Sequence, residues 1–169
     1  MIDTKLPSLS AEIVERVQAS DRRLRERCPF YRRLLAGEVD GEEYAGWLVQ
    51  MYKYIRLNER LYGAGARALS PRTADGPIAD QLRDYAQWVV QEEAGHDDLL
   101  VNDLATLWQV SHDEVLGRVE REQSAPSCAV WSSVTDLLLA RYPVGLLGFA
   151  VAMETYAMLQ TDEIREHLL

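Results

Sequence analysis

Three shortages bound what this 169-residue chain can be. It has two cysteines, Cys28 and Cys128, far apart and in no metal-binding spacing. That excludes a disulfide framework and a thiolate metal site, and it suits a reducing, cytoplasmic setting. Positive charge is also short: 18 Lys and Arg stand against 27 Asp and Glu, for a net charge of −9. Nonspecific nucleic-acid binding needs a basic face for the phosphates, so that class is excluded. The densest basic run, RRLRER over residues 22–27, reads as a solvated helix face. The third shortage is an unbroken apolar run. The longest apolar stretch, YPVGLLGFAVAMETYAMLQT, is interrupted by Pro143, Gly145, Gly148 and Glu154, which fits a core helix better than a membrane span. The N-terminus lacks a basic segment followed by an apolar core, so no signal peptide is expected.

Strand-period alternation is nearly missing, and helical periodicity recurs throughout. The expectation is one all-α domain over residues 1–169, with 47% apolar residues supplying its core. Ser10 can cap a first helix to about Arg27. A short helix follows and ends at Gly37. One long helix is then expected from about Glu42 to Leu69, and another from about Ile78 to Trp108. The two are joined through SPRTADGP, rich in turn formers. Ser111 with Glu114 has capping-box spacing for a short helix. Ala129–Arg141 and Val144–Gln160 read as helices bent at Pro143, and the tail from Thr161 as one further turn.

Glu154 is the only charged residue between Tyr142 and Thr161, and a carboxylate is costly to bury unless something positive holds it. Upstream, Glu93 and His96 form an E-x-x-H pair. On a helical projection both fall within a stripe of Leu82, Tyr85, Ala86, Val89, Leu100, Leu104 and Leu107. Glu59 falls in a similar stripe with Tyr44, Leu48, Met51, Tyr52, Ile55, Tyr62, Ala66 and Leu69. Three carboxylates and one imidazole are therefore expected to face inward, with no inward Lys or Arg to neutralise them. A bound metal supplies the missing charge, and facing glutamates with an E-x-x-H pair are how helix bundles build di-iron or di-manganese sites. Simpler roles compete for each residue. An E-x-x-H pair can be a surface i, i+3 contact, Glu59 can pair with Arg56 or Arg60, and Glu154 can be a structural carboxylate bonded to tyrosines. His112 and His167 read as solvent-facing.

The segments GEEYAGWLVQMYKYIRLNERLYGAGARAL, EEAGHDDLLVNDLATL and VGLLGFAVAMETYAML together resemble the haem-oxygenase-like di-iron oxidases, over about residues 25 to 160. The resemblance implies a haem-oxygenase-like helical bundle. It also implies a labile Fe centre held by Glu59, Glu93, His96 and Glu154, with O2 as co-substrate. The reaction implied is oxidation or oxygenation of a small organic molecule, amino-acid-derived or fatty-acid-like, often in natural-product biosynthesis. The family's later His/Asp pair has no counterpart up to Leu169, and a C-terminal core helix carrying it is expected beyond that residue. A homodimer is expected, with no nucleic-acid or membrane partner. Two alternatives stay open: a non-catalytic helical scaffold or binding protein of the same fold, and a thiaminase-II-like pyrimidine hydrolase. The hydrolase needs a cysteine near Met153 and Glu154, where none stands.

Overall fold

The computed structural model describes residues 9–68 and 77–168, apart from the side chains at 9–10, 59, 77–79 and 160–168. Every element among them is an α-helix: α1 (Leu9–Arg27), α2 (Pro29–Leu35), α3 (Gly41–Ile55), α4 (Asn58–Ala68), α5 (Pro77–Glu93), α6 (His96–Trp108), α7 (His112–Arg121), α8 (Pro126–Arg141) and α9 (Pro143–Leu168). The all-α reading holds. Among the described residues no helix is long and apolar enough to cross a membrane.

Local chemistry sets several boundaries. Asp40 caps α3, its side chain accepting from the amides of Glu42 at 3.0 Å and Glu43 at 2.8 Å, and the Glu43 carboxylate accepts from the Asp40 amide. Ser111 and Glu114 form the expected reciprocal box at the start of α7. Proline opens α8 and α9, where its missing N–H costs nothing.

Two long helices were each expected to be continuous, and each is broken. The first stops at Ile55 and restarts at Asn58. The second stops at Glu93 and restarts at His96, because Gly95 takes φ 84°, a left-handed conformation that ends an α-helix. That break rotates the downstream face. Leu104 of the expected stripe is buried, but Leu107, also expected inside, is 40% exposed, and Val101, outside that stripe, is buried. Conversely, α9 runs unbroken through Thr161, where a separate turn was expected.

The chain, read above as one domain, groups its contacts into two compact units: Asp40–Leu147, and Met1–Val39 with Gly148–Leu169. In the first, α3 packs on α6, α6 on α7, and α4 on α5 and α8. Its core holds Leu48, Val49, Tyr52, Leu104, Val115 and Val119. Gln50 fastens the loop after α7 to α3, accepting from the Ala125 amide at 2.7 Å and donating to the Gln123 carbonyl at 3.2 Å. Lys53 donates to the neighbouring Glu122 carbonyl.

The second unit packs α1 on α2 around a buried carboxylate, Asp21. Tyr31 donates to one of its oxygens at 2.8 Å and Arg25 to the other at 2.7 Å. Buried charge is tolerated when paired and hydrogen-bonded in this way.

Candidate functional site

The break between α5 and α6 brings two of the four candidate ligands together. Glu93 is the last residue of α5 and His96 the first of α6, so the left-handed Gly95 sets their relative direction. Glu93 Oε2 lies 3.4 Å from His96 Nδ1. The Glu93 side chain is 9% exposed and that of His96 44%.

The opposite break, between α3 and α4, supplies the neighbours of Glu93. Asn58, first residue of α4 and 5% exposed, donates Nδ2 to Glu93 Oε2 at 3.3 Å. Its Oδ1 is buried without a hydrogen-bond partner among the described residues, and so is the Tyr54 hydroxyl. The Tyr54 ring rests on Trp131 of α8, with centroids 4.3 Å apart. Burial pushes the Tyr54 phenol well above its ordinary range, and the nearby Tyr62 and Glu93 push it further. The result is a largely buried polar cluster with one carboxylate, one half-exposed imidazole and two oxygen groups without a partner among the described residues.

The other two candidates are placed differently. Glu59 lies on α4 beside Asn58, and its side chain is outside the described residues. Glu154 lies on α9 within the second unit and is exposed, not buried as its apolar surroundings suggested. The physical reason is the composition of α9. Its apolar residues surround the helix, so sequence alone marks no inner stripe, and the face shared by Glu154, Ala157 and Met158 points to water. Among the described residues, no three His, Cys, Asp or Glu side chains gather closely enough to hold a metal ion.

Of the four tyrosines expected on the inner stripes, Tyr52 and Tyr62 are buried. Tyr44 stacks on Trp47, and Tyr85 on Trp88. Asp103 lies near Tyr44 and helps burial raise that phenol's pKa. Sequence reasoning missed Tyr54 and Asn58. The available signal was Asn58 itself, a residue that favours caps over helix interiors, within an otherwise helical run.

A separate open groove of about 490 Å3 is lined by Lys53, Arg56, Leu57, Glu120, Cys128 and Ser132, among others; neither Glu93 nor His96 reaches it. Cys128 faces Gln50 there, and Cys28 belongs to the other unit.

Donor chemistry and spacing test whether the pocket suits a metal. Two donors each about 2.1 Å from one cation lie roughly 3.0 to 3.4 Å apart for octahedral to tetrahedral angles. The separation of 3.4 Å between Glu93 Oε2 and His96 Nδ1 meets that condition. Carboxylate and imidazole suit iron or manganese, and the unsatisfied oxygen of Asn58 is a third group of the right kind. The pair therefore fits one cation.

Comparison with protein-family models, curated proteins and solved structures returns no match.

Proposed function

We propose that this chain is a non-haem di-iron, O2-dependent oxidase or oxygenase of haem-oxygenase-like fold. It acts on a small organic substrate, amino-acid-derived or fatty-acid-like, in the cytoplasm and as a homodimer. The observation that carries the reading is the nearly buried Glu93 carboxylate, 3.4 Å from His96 Nδ1 at a paired helix break. Glu93 and His96 hold the first metal; Glu59 and Glu154 enter only as the further ligands that the sequence resemblance implies.

Bound iron supplies the one-electron chemistry that activates O2. The chain's own residues do the rest. In the metal-free chain Asn58 holds the Glu93 carboxylate in place through its hydrogen bond to Oε2. Gly95 lets His96 turn toward Glu93 without the strain a side chain would bring at that position. Tyr54 keeps its proton, and its buried hydroxyl would be a donor for a substrate held nearby. The Tyr54 ring packs on that of Trp131, and its hydroxyl is buried.

Anaerobic Fe(II) titration of the full chain, followed by O2, tests the reading. Uptake of Fe(II) and a transient visible band are expected, both lost in Glu93→Ala and His96→Ala. A wild-type chain that takes up no Fe(II) sinks it.

A second reading is favoured by particular observations. Glu93 already accepts a hydrogen bond from Asn58, and Glu154 is exposed. A non-catalytic helical scaffold needs no more than that. It predicts that Glu93→Gln melts at or above the wild-type temperature and that iron changes neither melting curve.

A further inference from the structure

Asn58 is 5% exposed, yet only half of its carboxamide is used. Nδ2 donates to Glu93 Oε2 at 3.3 Å, and Oδ1 has no partner among the described residues. A buried acceptor without a donor is costly and rare in native interiors. Here it lies beside a carboxylate that is itself 9% exposed. Nδ2 is the atom that faces Glu93, so Oδ1 is left without a donor on the amide's other side.

The carboxamide can provide for that. Its oxygen and nitrogen have nearly the same shape and are told apart by their hydrogen-bond partners. A half-turn exchanges them, placing the oxygen about where Nδ2 stands, 3.3 Å from Glu93 Oε2. That spacing matches the 3.4 Å between Glu93 Oε2 and His96 Nδ1, and both suit two donors sharing one cation. We infer that Asn58 is a metal ligand: its side-chain oxygen joins Glu93 and His96 around one divalent, oxygen-preferring cation at the α5–α6 break. The inference rests on the proposed metal-binding role of Glu93 and His96, and it adds a ligand that sequence reasoning left out. Asn58 then has two states, a tether of Glu93 without metal and a ligand with it.

Mn(II) binding to the full chain, measured by calorimetry and by the electron paramagnetic resonance of free Mn(II), tests this without any turnover. The comparison covers wild type, Glu93→Ala, His96→Ala, Asn58→Leu and Asn58→Asp, with circular dichroism to verify folding. Asn58→Leu is expected to weaken Mn(II) binding by about tenfold or more, in the range seen when a metal's supporting residues are removed. Asn58→Asp is expected to tighten it, because a carboxylate ligand replaces a neutral one. A residue that only tethers Glu93 gives the opposite result, since an ionised aspartate cannot donate and repels its neighbour. If both Asn58 variants bind Mn(II) like wild type while Glu93→Ala loses it, Asn58 is no ligand and the Glu93–His96 site stands. If Asn58→Leu fails to fold, Asn58→Asp decides: tighter binding supports ligation, and equal or weaker binding overturns it. A wild type that takes up no Mn(II) overturns both this inference and the metal reading beneath it.

Discussion

The Tyr31 hydroxyl donates to Asp21 Oδ1 at 2.8 Å, which joins α2 to a carboxylate of α1 that is 6% exposed. Arg25 donates to the other oxygen at 2.7 Å, and Tyr156 of α9 lies near the Tyr31 hydroxyl. Two helices of one unit thus meet at one buried charge. Tyr31→Phe removes a donor and leaves Asp21 Oδ1 short of a partner, at a cost of about 1–3 kcal/mol. Urea denaturation at neutral pH measures it, and a variant within about 0.5 kcal/mol of wild type contradicts the assignment.

The same phenol makes stability depend on alkaline pH. Burial, then hydrogen bonds with Tyr156 and Asp21, raise the Tyr31 pKa far above its ordinary 10.0. Burial does the same to Tyr54, aided by Tyr62 and Glu93. In the unfolded chain both phenols ionise near 10, while the folded chain keeps their protons. The native state then binds more protons, so stability is full below pH 10 and falls as pH rises beyond it. Chemical-denaturation midpoints between about pH 9 and 11 should show that decline, and Tyr31→Phe with Tyr54→Phe should flatten it. An equal slope in the double variant rules the two phenols out as its source.

Gly95 holds φ 84° with no atom within 4 Å of where a Cβ would stand. Substitution there meets strain and no clash. Gly95→Ala is expected to cost about 1–2 kcal/mol, and Gly95→Asn less, because asparagine tolerates the left-handed region. The alanine variant should also bind Mn(II) more weakly, since its backbone preference turns His96 away from Glu93. Denaturation and titration of the same samples check both effects. An alanine variant as stable as wild type refutes the strain.

Gly95 also shows where reading the sequence succeeds and where it stops. Ser111 and Glu114 announced the start of α7 because a capping box is a local chemical pattern, complete within four residues. The segment from Ile78 to Trp108 read as one helix because a lone glycine is tolerated inside helices, and only the fold decides that Gly95 turns left-handed. Glu93 and His96 were legible as a pair, since three residues of separation keep two side chains close even across the break. Asn58 was not, because its relation to Glu93 depends on α4 packing against α5, and Tyr54 of α3 comes near Glu93 only through the tertiary fold. Glu154 was misjudged for a related reason: an apolar helix without a polar face gives no sign of which side is inside.

Gln50 makes the connection between α3 and the loop before α8 a matter of two hydrogen bonds, to Ala125 and Gln123. Gln50→Leu keeps the volume but leaves that loop's amide and carbonyl without their partner. A loss of about 1–2 kcal/mol is expected, together with faster hydrogen exchange at Ala125. Unchanged exchange at that amide tells against the fastening role.

Glu154 offers the sharpest division between the two functional readings, because it is exposed on α9. Replacing an exposed side chain typically changes stability by less than about 0.5 kcal/mol. Any loss of iron in Glu154→Ala therefore reports ligation and not unfolding. Under the di-iron proposal the wild type takes up two Fe(II) per chain and Glu154→Ala at most one, with melting temperatures alike. Retention of both irons removes Glu154 from the ligand set and leaves Glu93, His96 and their neighbours on α4 to account for the metal.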